Sequence, residues 1–433
     1  MRKKFFFNKQ FGFRNKHSTD YAVPRITDKI QKAIDDRDFS CGIFLDFSKA
    51  FDTVDHAILI KKLECYGIRG NAKNWFTSYL SNHQQTVTVN NITSSPATIS
   101  CGIPQGSVLG LVLFLLYIND FHQCFDLFDS HLFADDANLI YRHKSLSVLE
   151  FDINNELNNI DTCLRANKLS LNIEKSNFVI FHPSQRKITL HVKLLINDTS
   201  LMKENCIKYL GIMIDSNLNW KSQISCISKI IKRSIGILSK LRYYVDLSIL
   251  IKLYYALIYP FLIYGIIIWG NTYHTTIQPL SVLQKKAVRI MTFSKFDEHS
   301  SPPFKKLNII KLIDLIKYHI SIFMFKFHNQ LLPSVYNSYF TSVENIHSYN
   351  SRSTAKKYYY LAKARTNYGL FNIRYQGPKI WNMIENLELN YPHRFTSLKK
   401  LKTEFLSILF INFFSKGNVN KAHTKGALYC RCH

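Results

Sequence analysis

Three aspartates of the chain stand inside segments that are otherwise apolar. Asp135 and Asp136 are adjacent in "LFADDANLIY" (132–141), and Asp46 stands near the end of "SCGIFLDF" (40–47). Carboxylates are rarely surrounded by apolar residues unless they are paired or bound to a cation. If the two segments lie side by side in one sheet, three carboxylates converge, and their repulsion requires cations. A solvated turn is the alternative explanation, because Asp and Asn are common in turns.

Divalent metal ions are the cations that suit such a group. Two Mg²⁺ ions about 3.5–4 Å apart can clamp the attacking and leaving oxygens of a phosphoryl transfer. Mg²⁺ binds through few carboxylates and keeps positions for substrate phosphates. Asp52, which follows Asp46 in the same segment, is expected to cap the next helix rather than to bind metal.

A glycine-rich loop, "CGIPQGSVLG" (101–110), lies between these acids in the sequence. Its glycines allow close approach of the backbone, and Pro104 stiffens its entry. Such a loop can lie against a flat ligand, for example a template base pair. The alternative is an ordinary connection between a strand and a helix.

Short strands and helices alternate over residues 1–216, which predicts an α+β domain around a buried sheet. Strands are expected at 40–47, 85–91, 97–100, 175–183 and 208–215, and a strand–turn–strand at 132–141. Helices are expected at 56–68, 71–82, 107–121 and 146–167. A helical domain is expected at 217–335, with helices at 223–241, 247–268, 277–293 and 308–330. Residues 336–433 form a basic, tyrosine-rich C-terminal region.

The chain has 433 residues and a net charge of +26, from 56 basic and 30 acidic residues. This excess favours polyanionic partners, either nucleic acid or an anionic membrane. The most membrane-like stretch, 256–270, is shorter than the roughly 20 residues of a membrane span and contains Pro260, so a buried helix is expected. No secretory signal is found.

The nine cysteines are scattered, which indicates an intracellular, reducing environment without disulfides. A zinc site at Cys430, Cys432 and His433 is only weakly indicated.

Several motifs occur in an order that resembles reverse transcriptases, and most closely those of non-LTR (LINE-type) retrotransposons of the jockey and CR1 kind. They are "QFGFRNKHST" (10–19), "LDFSKAFDTVDH" (45–56), "GIPQGSVLG" (102–110), "FADD" (133–136), "KSNFVIF" (175–181) and "YLGIMID" (209–215). The stretch "RTNYGLFNIRYQGPKIWN" (365–382) is similar to the tail of that group. The resemblance implies a right-hand polymerase palm with partial fingers, a helical thumb and a basic C-terminal region.

The resemblance also implies roles for the acids and their neighbours. Asp46 and Asp135 would hold two metal ions, with Asp136 in support and the carbonyl of Phe47 as a further ligand. Mg²⁺ is expected, with Mn²⁺ as a substitute. Lys175 matches a lysine that protonates the leaving pyrophosphate. The alternative for Lys175 is an exposed loop lysine without a role.

A second set of residues would contact the substrates. Phe51 matches the bulky side chain that blocks a ribose 2′-hydroxyl, and packing in the core is its alternative explanation. Gln105 and Gly106 would line the nascent base pair. Leu210 and Gly211 would belong to the grip on the primer end. The basic faces of the thumb helices would follow the backbone of the duplex.

The expected function is RNA-directed DNA polymerisation, with an RNA template, a DNA primer and dNTPs as partners. The upstream fingers strands and the endonuclease of such elements are missing from the sequence, so we expect a 5′-truncated copy. Two alternatives stay open. The chain could be a silent remnant that binds RNA or an RNA–DNA hybrid, or a basic helical interaction protein whose acidic pair is only a turn. The second alternative fails if Asp46 and the Asp135–Asp136 pair are adjacent in space. A nuclear or a cytoplasmic location is compatible with the sequence.

Overall fold

The computed structural model describes residues 5–81, 83–186, 188, 190–295, 297–346 and 358–386. The predicted C-terminal region is therefore described only at 336–346 and 358–386. The suggested zinc ligands at 430–433 lie outside the described residues.

The described residues form short strands and many helices. The strands are β1 (Phe39–Leu45), β2 (Gln84–Gln85), β3 (Thr88–Val89), β4 (Ile92–Thr93), β5 (Ala97–Thr98), β6 (Asp129–Phe133), β7 (Asp136–His143), β8 (Asn177–Phe181), β9 (Leu195–Ile196), β10 (Thr199–Ser200), β11 (Met202–Lys203), β12 (Cys206–Tyr209) and β13 (Ile212–Asp215). The helices are α1 (Thr19–Asp35), α2 (His56–Cys65), α3 (Asn71–Leu80), α4 (Val108–Tyr117), α5 (Leu146–Ala166), α6 (Lys221–Leu241), α7 (Leu247–Leu257), α8 (Tyr259–Ile263), α9 (Ile266–Trp269), α10 (His274–Thr292), α11 (Ser301–Lys306), α12 (Leu312–His328), α13 (Asn367–Phe371) and α14 (Ile373–Asn386).

A five-stranded sheet, in the order β11–β8–β1–β7–β6, forms the centre of the first half of the chain. Strand β1 is central, and every residue in it is buried. It pairs antiparallel with both β7 and β8, whereas β11 pairs in parallel with β8. The strand expected at 40–47 is confirmed, and the sheet with its helices confirms the α+β class.

Residues of β1 alternate between two hydrophobic cores, one on each face of the sheet. Cys41, Ile43 and Leu45 belong to the core that α2, α4 and α5 complete. Phe44 belongs to the other core, which α1, β12, β13 and the helices of the second half complete. A strand that is covered on both faces needs apolar residues at every position rather than at every second one. This explains the continuous apolar run in the sequence.

Helix α6 confirms the amphipathic pattern predicted for 223–241. Its buried apolar residues are the predicted ones, Ile224, Ile227, Ile231, Ile235 and Leu238. Four basic residues of the helix are exposed on the opposite side, Lys229, Lys232, Arg233 and Lys240. The helix therefore presents a basic surface to solvent while its other face packs in the core.

The single helix predicted at 247–268 is wrong, because the segment folds as α7, α8 and α9. Pro260 lies in the first turn of α8, where its missing N–H costs nothing, whereas within a long helix it would break the hydrogen-bond ladder. Gly265 precedes α9 with φ of 65°, a left-handed conformation that ends regular helix.

The single strand predicted at 208–215 is also wrong. The segment forms a hairpin of β12 and β13, in which Leu210 and Gly211 are the turn residues. The hairpin expected from 85–91 and 97–100 exists as two short strand pairs, β2 with β5 and β3 with β4. Cys124 and Cys163 form a disulfide, contrary to the expectation of none.

Residues 358–386 pack on the first helix of the chain. Arg374 Nε lies 2.9 Å from Asp28 Oδ1, and the Asp28 side chain is almost completely buried. Arg365 Nε donates to the carbonyl of Asp35 at 2.7 Å. One hydrophobic core extends from Phe11 to Ile384 and joins α1 to the helices of the second half.

Candidate active site

Asp135 and Asp136 lie at the turn between β6 and β7. Phe133 pairs with Asp136 across the hairpin, so Ala134 and Asp135 are the two turn residues. Ala134 is buried and left-handed, with φ of 57°. A residue other than glycine in this conformation indicates a turn that its surroundings hold in place. The strand–turn–strand predicted at 132–141 is confirmed.

Asp46 lies at the same end of the sheet. The last residue of β1, Leu45, is opposite Ala137 of β7. Asp46 and Asp136 are the next residues on these two antiparallel strands, so they flank the same end of the strand pair. The hypothesis of an interaction protein with an unrelated acidic turn is therefore wrong.

The carboxylates oppose one another's ionisation. Burial raises the pKa of Asp136 to about 6, and the charges of Asp135 and Asp46 add to this shift. Burial also raises the pKa of Asp135, against the effect of its own backbone N–H, and Asp46 raises it further. Within the described residues no hydrogen bond or ion pair compensates Asp136. The end of the sheet therefore carries negative charge that a cation would stabilise.

The main chain of Asp46 is fixed by the segment before β8. Its N–H donates to Ser176 Oγ at 3.1 Å, and its carbonyl accepts from the N–H of Asn172 at 2.8 Å. Ser176 is fully buried. The next residue, Phe47, is buried as well, but no hydrogen bond among the described residues reaches its carbonyl oxygen. Phe47 does not line the cleft described next, so its expected role as a metal ligand stays a prediction.

An open cleft of about 430 Å³, the acidic cleft, lies beside these residues. Asp46, Asp136 and Leu210 line it, together with two exposed lysines, Lys175 and Lys208. Carboxylates and ammonium groups therefore share one space. This combination suits a substrate that carries phosphates and binds together with a cation.

Leu210 and Gly211 form the turn of the β12–β13 hairpin at the edge of the acidic cleft, with φ angles of 43° and 81°. The hydroxyl of Tyr264 donates to the carbonyl of Leu210 at 2.5 Å. The same ring lies 3.3 Å from the position that a Cβ on Gly211 would occupy. The helical half of the chain thus holds this turn in place. Sequence reasoning missed Tyr264, since nothing local links it to a turn 54 residues away.

The loop 101–110 packs on the segment that follows β1. The N–H groups of Gly102 and Ile103 donate to the carbonyls of Val54 and Phe51, at 2.8 and 2.9 Å. Gly102 has φ of 89°, and a Cβ there would lie 2.8 Å from a backbone oxygen, so the close approach requires glycine. The loop is therefore docked rather than free.

Gln105 and Gly106 are exposed on this loop. Gln105 Nε2 donates to Asp52 Oδ1 at 2.8 Å. Asp52 therefore does not cap the following helix, and that expectation is wrong. Asp55 is the cap instead, because its carboxylate accepts from the N–H of Ile58. A cap must lie directly before the helix, and α2 begins at His56 as predicted, so Asp55 rather than Asp52 holds the cap position.

Phe51 is half-buried and stacks on Phe114, with ring centroids 4.4 Å apart. Part of the ring therefore packs in the core, as the alternative explanation expected, and part remains accessible. Phe51, Gln105 and Gly106 form a second group that does not line the acidic cleft. The structure brings Asp46, Asp136, Lys175 and Leu210 together in that cleft, whereas Asp135 and Gly211 lie in the adjacent turns and do not line it.

The acids do not form a ready-made metal cage. Among the described residues, no group of three or more His, Cys, Asp or Glu side chains is arranged to hold an ion. Mg²⁺ does not need such a cage, because it is commonly held by one or two carboxylates, water and substrate phosphates. The oxygen donors of the acidic cleft fit that mode of binding. In the same part of the chain, no helix is long and apolar enough to cross a membrane.

A buried antiparallel sheet with acids at one end, followed by packed helices, is the architecture of a polymerase palm and its neighbouring domain. Residues 1–214 match the family described as reverse transcriptase (RNA-dependent DNA polymerase). Residues 1–214 thus belong to the reverse transcriptase family, and the similarity of the chain to the transposon polymerases described next supports the branch of non-LTR retrotransposons. The sequence resemblance is thereby confirmed.

Two relatives come from Drosophila melanogaster. The probable RNA-directed DNA polymerase from transposon X-element is 27% identical over 330 residues, which cover 74% of this chain and 35% of the relative. The RNA-directed DNA polymerase from mobile element jockey is 25% identical over 326 residues, which cover 71% of this chain and 34% of the relative. The chain thus spans about a third of the length of these curated relatives.

The solved structure of telomerase from Candida albicans, in complex with a fragment of telomeric RNA, is a distant neighbour. It is 13% identical, with a TM-score of 0.35, and the match covers 68% of this chain and 55% of that one.

Proposed function

We propose that the chain is an RNA-directed DNA polymerase, which adds deoxynucleotides to the 3′-hydroxyl of a DNA primer paired with an RNA template. The observation that carries the proposal is the convergence of Asp46 and Asp136 at one end of a buried sheet, within residues that match the reverse transcriptase family. The X-element and jockey relatives are named as RNA-directed DNA polymerases, which supports the same activity.

The acidic cleft is the proposed catalytic centre. Bound divalent ions, Mg²⁺ or Mn²⁺, would neutralise charge on the attacking and leaving oxygens. Asp46, on the wall of the cleft, and Asp135, in the turn beside it, would hold these ions, Asp136 would support them, and the carbonyl of Phe47 would be a further ligand. The raised pKa values of Asp135 and Asp136 support this assignment, because a cation would reverse the repulsion that causes part of the shift.

The substrates contact residues around this centre. Lys175 protonates the leaving pyrophosphate, which its exposed position on the acidic cleft supports. Leu210 and Gly211 hold the primer end, at a turn fixed by Tyr264. Since phosphoryl transfer needs little covalent help from protein, alignment and charge neutralisation account for most of the catalysis.

The loop 101–110 and Phe51 select the incoming nucleotide. The accessible part of the Phe51 ring blocks a ribose 2′-hydroxyl, and its stacking on Phe114 keeps it rigid. Gln105 and Gly106 line the nascent base pair.

The duplex lies along the helical half of the chain. The exposed lysines and arginine of α6 contact its phosphates, and the net charge of +26 favours this binding. Residues 1–216 act as palm and partial fingers, 217–335 as thumb, and 336–433 as a basic C-terminal region. RNA, primer and dNTPs occur in the nucleus and the cytoplasm, and we place the protein in one of these compartments.

Primer extension on a poly(rA)/oligo(dT) hybrid with Mg²⁺ tests this proposal. The wild type is compared with the double variant Asp135→Asn/Asp136→Asn and with Asp198→Asn, which makes the same change at an exposed loop position. We expect extension by the wild type and by Asp198→Asn, and at least about a 100-fold loss in the double variant.

Binding of the hybrid is measured in parallel by fluorescence anisotropy. No extension by the wild type, with hybrid binding intact, would contradict the polymerase and favour the silent remnant. Equal extension by the double variant and the wild type would show that Asp135 and Asp136 are not required for catalysis.

A further inference from the structure

The segment Lys9–Gly12 extends the sheet beyond its edge strand, β6. The N–H of Phe11 donates to the carbonyl of Leu132 at 2.8 Å, and the N–H of Leu132 donates to the carbonyl of Lys9 at 3.0 Å. Gln10 and Leu132 thereby form a parallel bridge. This segment reaches the turn that carries Asp135 from the side opposite β7.

The side chain of Gln10 reaches into this turn and is only 1% exposed. Its Oε1 accepts from the N–H of Gly12 at 2.9 Å and from the N–H of Ala134 at 3.0 Å. Both partners are donors, so the oxygen rather than the nitrogen of the amide must face them. The orientation of the Gln10 amide is thus fixed by its neighbours.

Gly12 holds the same turn by close backbone contact. A Cβ on Gly12 would lie 2.3 Å from the backbone nitrogen of Ala134, which leaves no room for any side chain. Ala134 has positive φ and directly precedes Asp135. Such a turn persists only when its surroundings fix it. Gln10 and Gly12 are therefore the surroundings that fix it on this side.

We propose that Gln10 is a positioning residue for the Asp135–Asp136 turn. By accepting from Ala134, its amide oxygen holds the turn in the shape that presents both carboxylates beside Asp46. This inference rests on the proposed function of the acidic cleft. It adds a residue 36 positions before the first acid, and it gives the "QFGFR" motif a physical role.

The segment stays attached when the Gln10 amide is changed. Phe11 is buried in the core, and Lys9 Nζ lies 2.5 Å from Asp129 at the start of β6. The main-chain bonds to Leu132 do not involve the Gln10 side chain. A substitution at Gln10 therefore removes the hydrogen bond to Ala134 and leaves the segment, with Gly12, in place.

The test compares three variants of the full chain. Gln10→Met keeps the length of the side chain but cannot accept the two hydrogen bonds, whereas Gln10→Glu still can. Gln284→Met is the matched control, because Gln284 is equally buried and accepts from the N–H of Leu312, far from the acids in sequence and between two helices. All three variants lose a buried amide, so all three are expected to unfold at lower temperature.

Mn²⁺ affinity is measured by electron paramagnetic resonance, and single-turnover extension is measured per hybrid-bound molecule. For Gln10→Met we expect about 10-fold weaker Mn²⁺ binding, the usual effect of losing support behind a metal ligand. We also expect about a 10- to 100-fold lower extension rate, with the KM for the hybrid unchanged. Gln10→Glu should stay within about threefold of the wild type, and Gln284→Met should match the wild type in both measurements.

Wild-type Mn²⁺ affinity in Gln10→Met would overturn the inference, whatever its melting temperature. If Gln10→Met does not fold, Gln10→Asn, whose amide is one methylene too short to reach Ala134, must show the same loss. If the wild type binds Mn²⁺ but extends no primer, the proposed polymerase activity is refuted. The Mn²⁺ affinities of the wild type and Gln10→Met then still test the role of Gln10. A wild type that binds no Mn²⁺ would overturn both proposals.

Discussion

Acidic residues at the two ends of the β6–β7 hairpin have opposite surroundings. At the start of β6, Asp129 lies 2.7 Å from Lys29 Nζ and 2.5 Å from Lys9 Nζ. On the neighbouring helix α1, Asp28 is paired with Arg374. At the other end of the same hairpin, Asp136 has no compensating partner in the described chain.

The pKa values follow this difference. Burial opposes ionisation of Asp129, but its contacts with His131, Lys29 and Lys9 hold its pKa well below its usual range. Burial and two like charges raise the pKa of Asp136 instead. Both groups are similarly buried, so the neighbours decide the direction of the shift.

This difference in surroundings distinguishes acids that stabilise the fold, such as Asp129 and Asp28, from acids that are available to bind a ligand, such as Asp136. A partner for each buried charge is the arrangement expected for stability. An acidic group without partners destabilises the free protein and stabilises a bound cation. The predictions that follow test whether the two groups respond in opposite ways.

The largest expected effect on stability is at Asp28. Asp28→Asn leaves Arg374 without its carboxylate partner. Because Asp28 is buried but the Arg374 side chain is 36% exposed, we expect a loss of about 1.5–3 kcal/mol. The free energy of unfolding, from urea denaturation, measures the loss. Glu64→Gln breaks the exposed pair with Lys73 and should change the free energy by less than about 1 kcal/mol. Equal effects of the two substitutions would show that the pair of Asp28 and Arg374 does not stabilise the fold more than an exposed pair does.

The pH dependence of stability should differ in sign between the two groups. The pKa of Asp136 in the folded chain, about 6, lies above its ordinary value of 3.8. The folded state therefore binds this proton more tightly, and stability falls as the pH rises from about 4 to 6. The lowered pKa of Asp129 stabilises the fold above about pH 4, and this contribution is lost as the pH falls further.

Metal-free urea denaturation at several pH values separates these contributions. Asp136→Asn should flatten the decline between about pH 4 and 6, and Asp129→Asn should flatten the loss below about pH 4. If the free energy of unfolding falls between pH 4 and 6 as steeply in Asp136→Asn as in the wild type, the Asp136 carboxylate is compensated and the account is contradicted.

The smallest expected effect is at Tyr264. Tyr264→Phe removes the hydrogen bond to Leu210, which is worth about 1 kcal/mol. The KM for the hybrid should rise about fivefold, with the KM for dNTP unchanged, because the turn of the hairpin is the proposed primer contact. Tyr255→Phe removes a hydroxyl from the same helical half and is the control. No difference between the two variants would count against the primer contact.

Periodicity and composition predicted much of this fold. The apolar run at 40–47, the acidic turn at 132–141 and the amphipathic helix at 223–241 are confirmed because each signal is local and strong. The hairpin inside 208–215 was missed, since its turn residues, Leu210 and Gly211, interrupt an apolar run without a polar signal. Pro260 was noted as an interruption, but the predicted helix was continued across it and across Gly265 because the residues around them are mostly apolar.

Long-range contacts explain what the sequence could not predict. Gln10 meets Ala134 across 124 residues, and Arg374 meets Asp28 across 346. No local pattern announces such partners, because only the folded chain brings them together. The three acids were found because each carries its own signal, a charge among apolar residues.

Single-turnover extension by Asp46→Asn, Asp136→Asn and the variant with both changes tests most directly whether these acids form one catalytic site. We predict that each single change lowers the rate at least about 100-fold and that the combined change lowers it no further, since residues that act as a unit are not additive. Losses that multiply in the combined variant, or a wild-type rate in either single variant, would contradict a shared site.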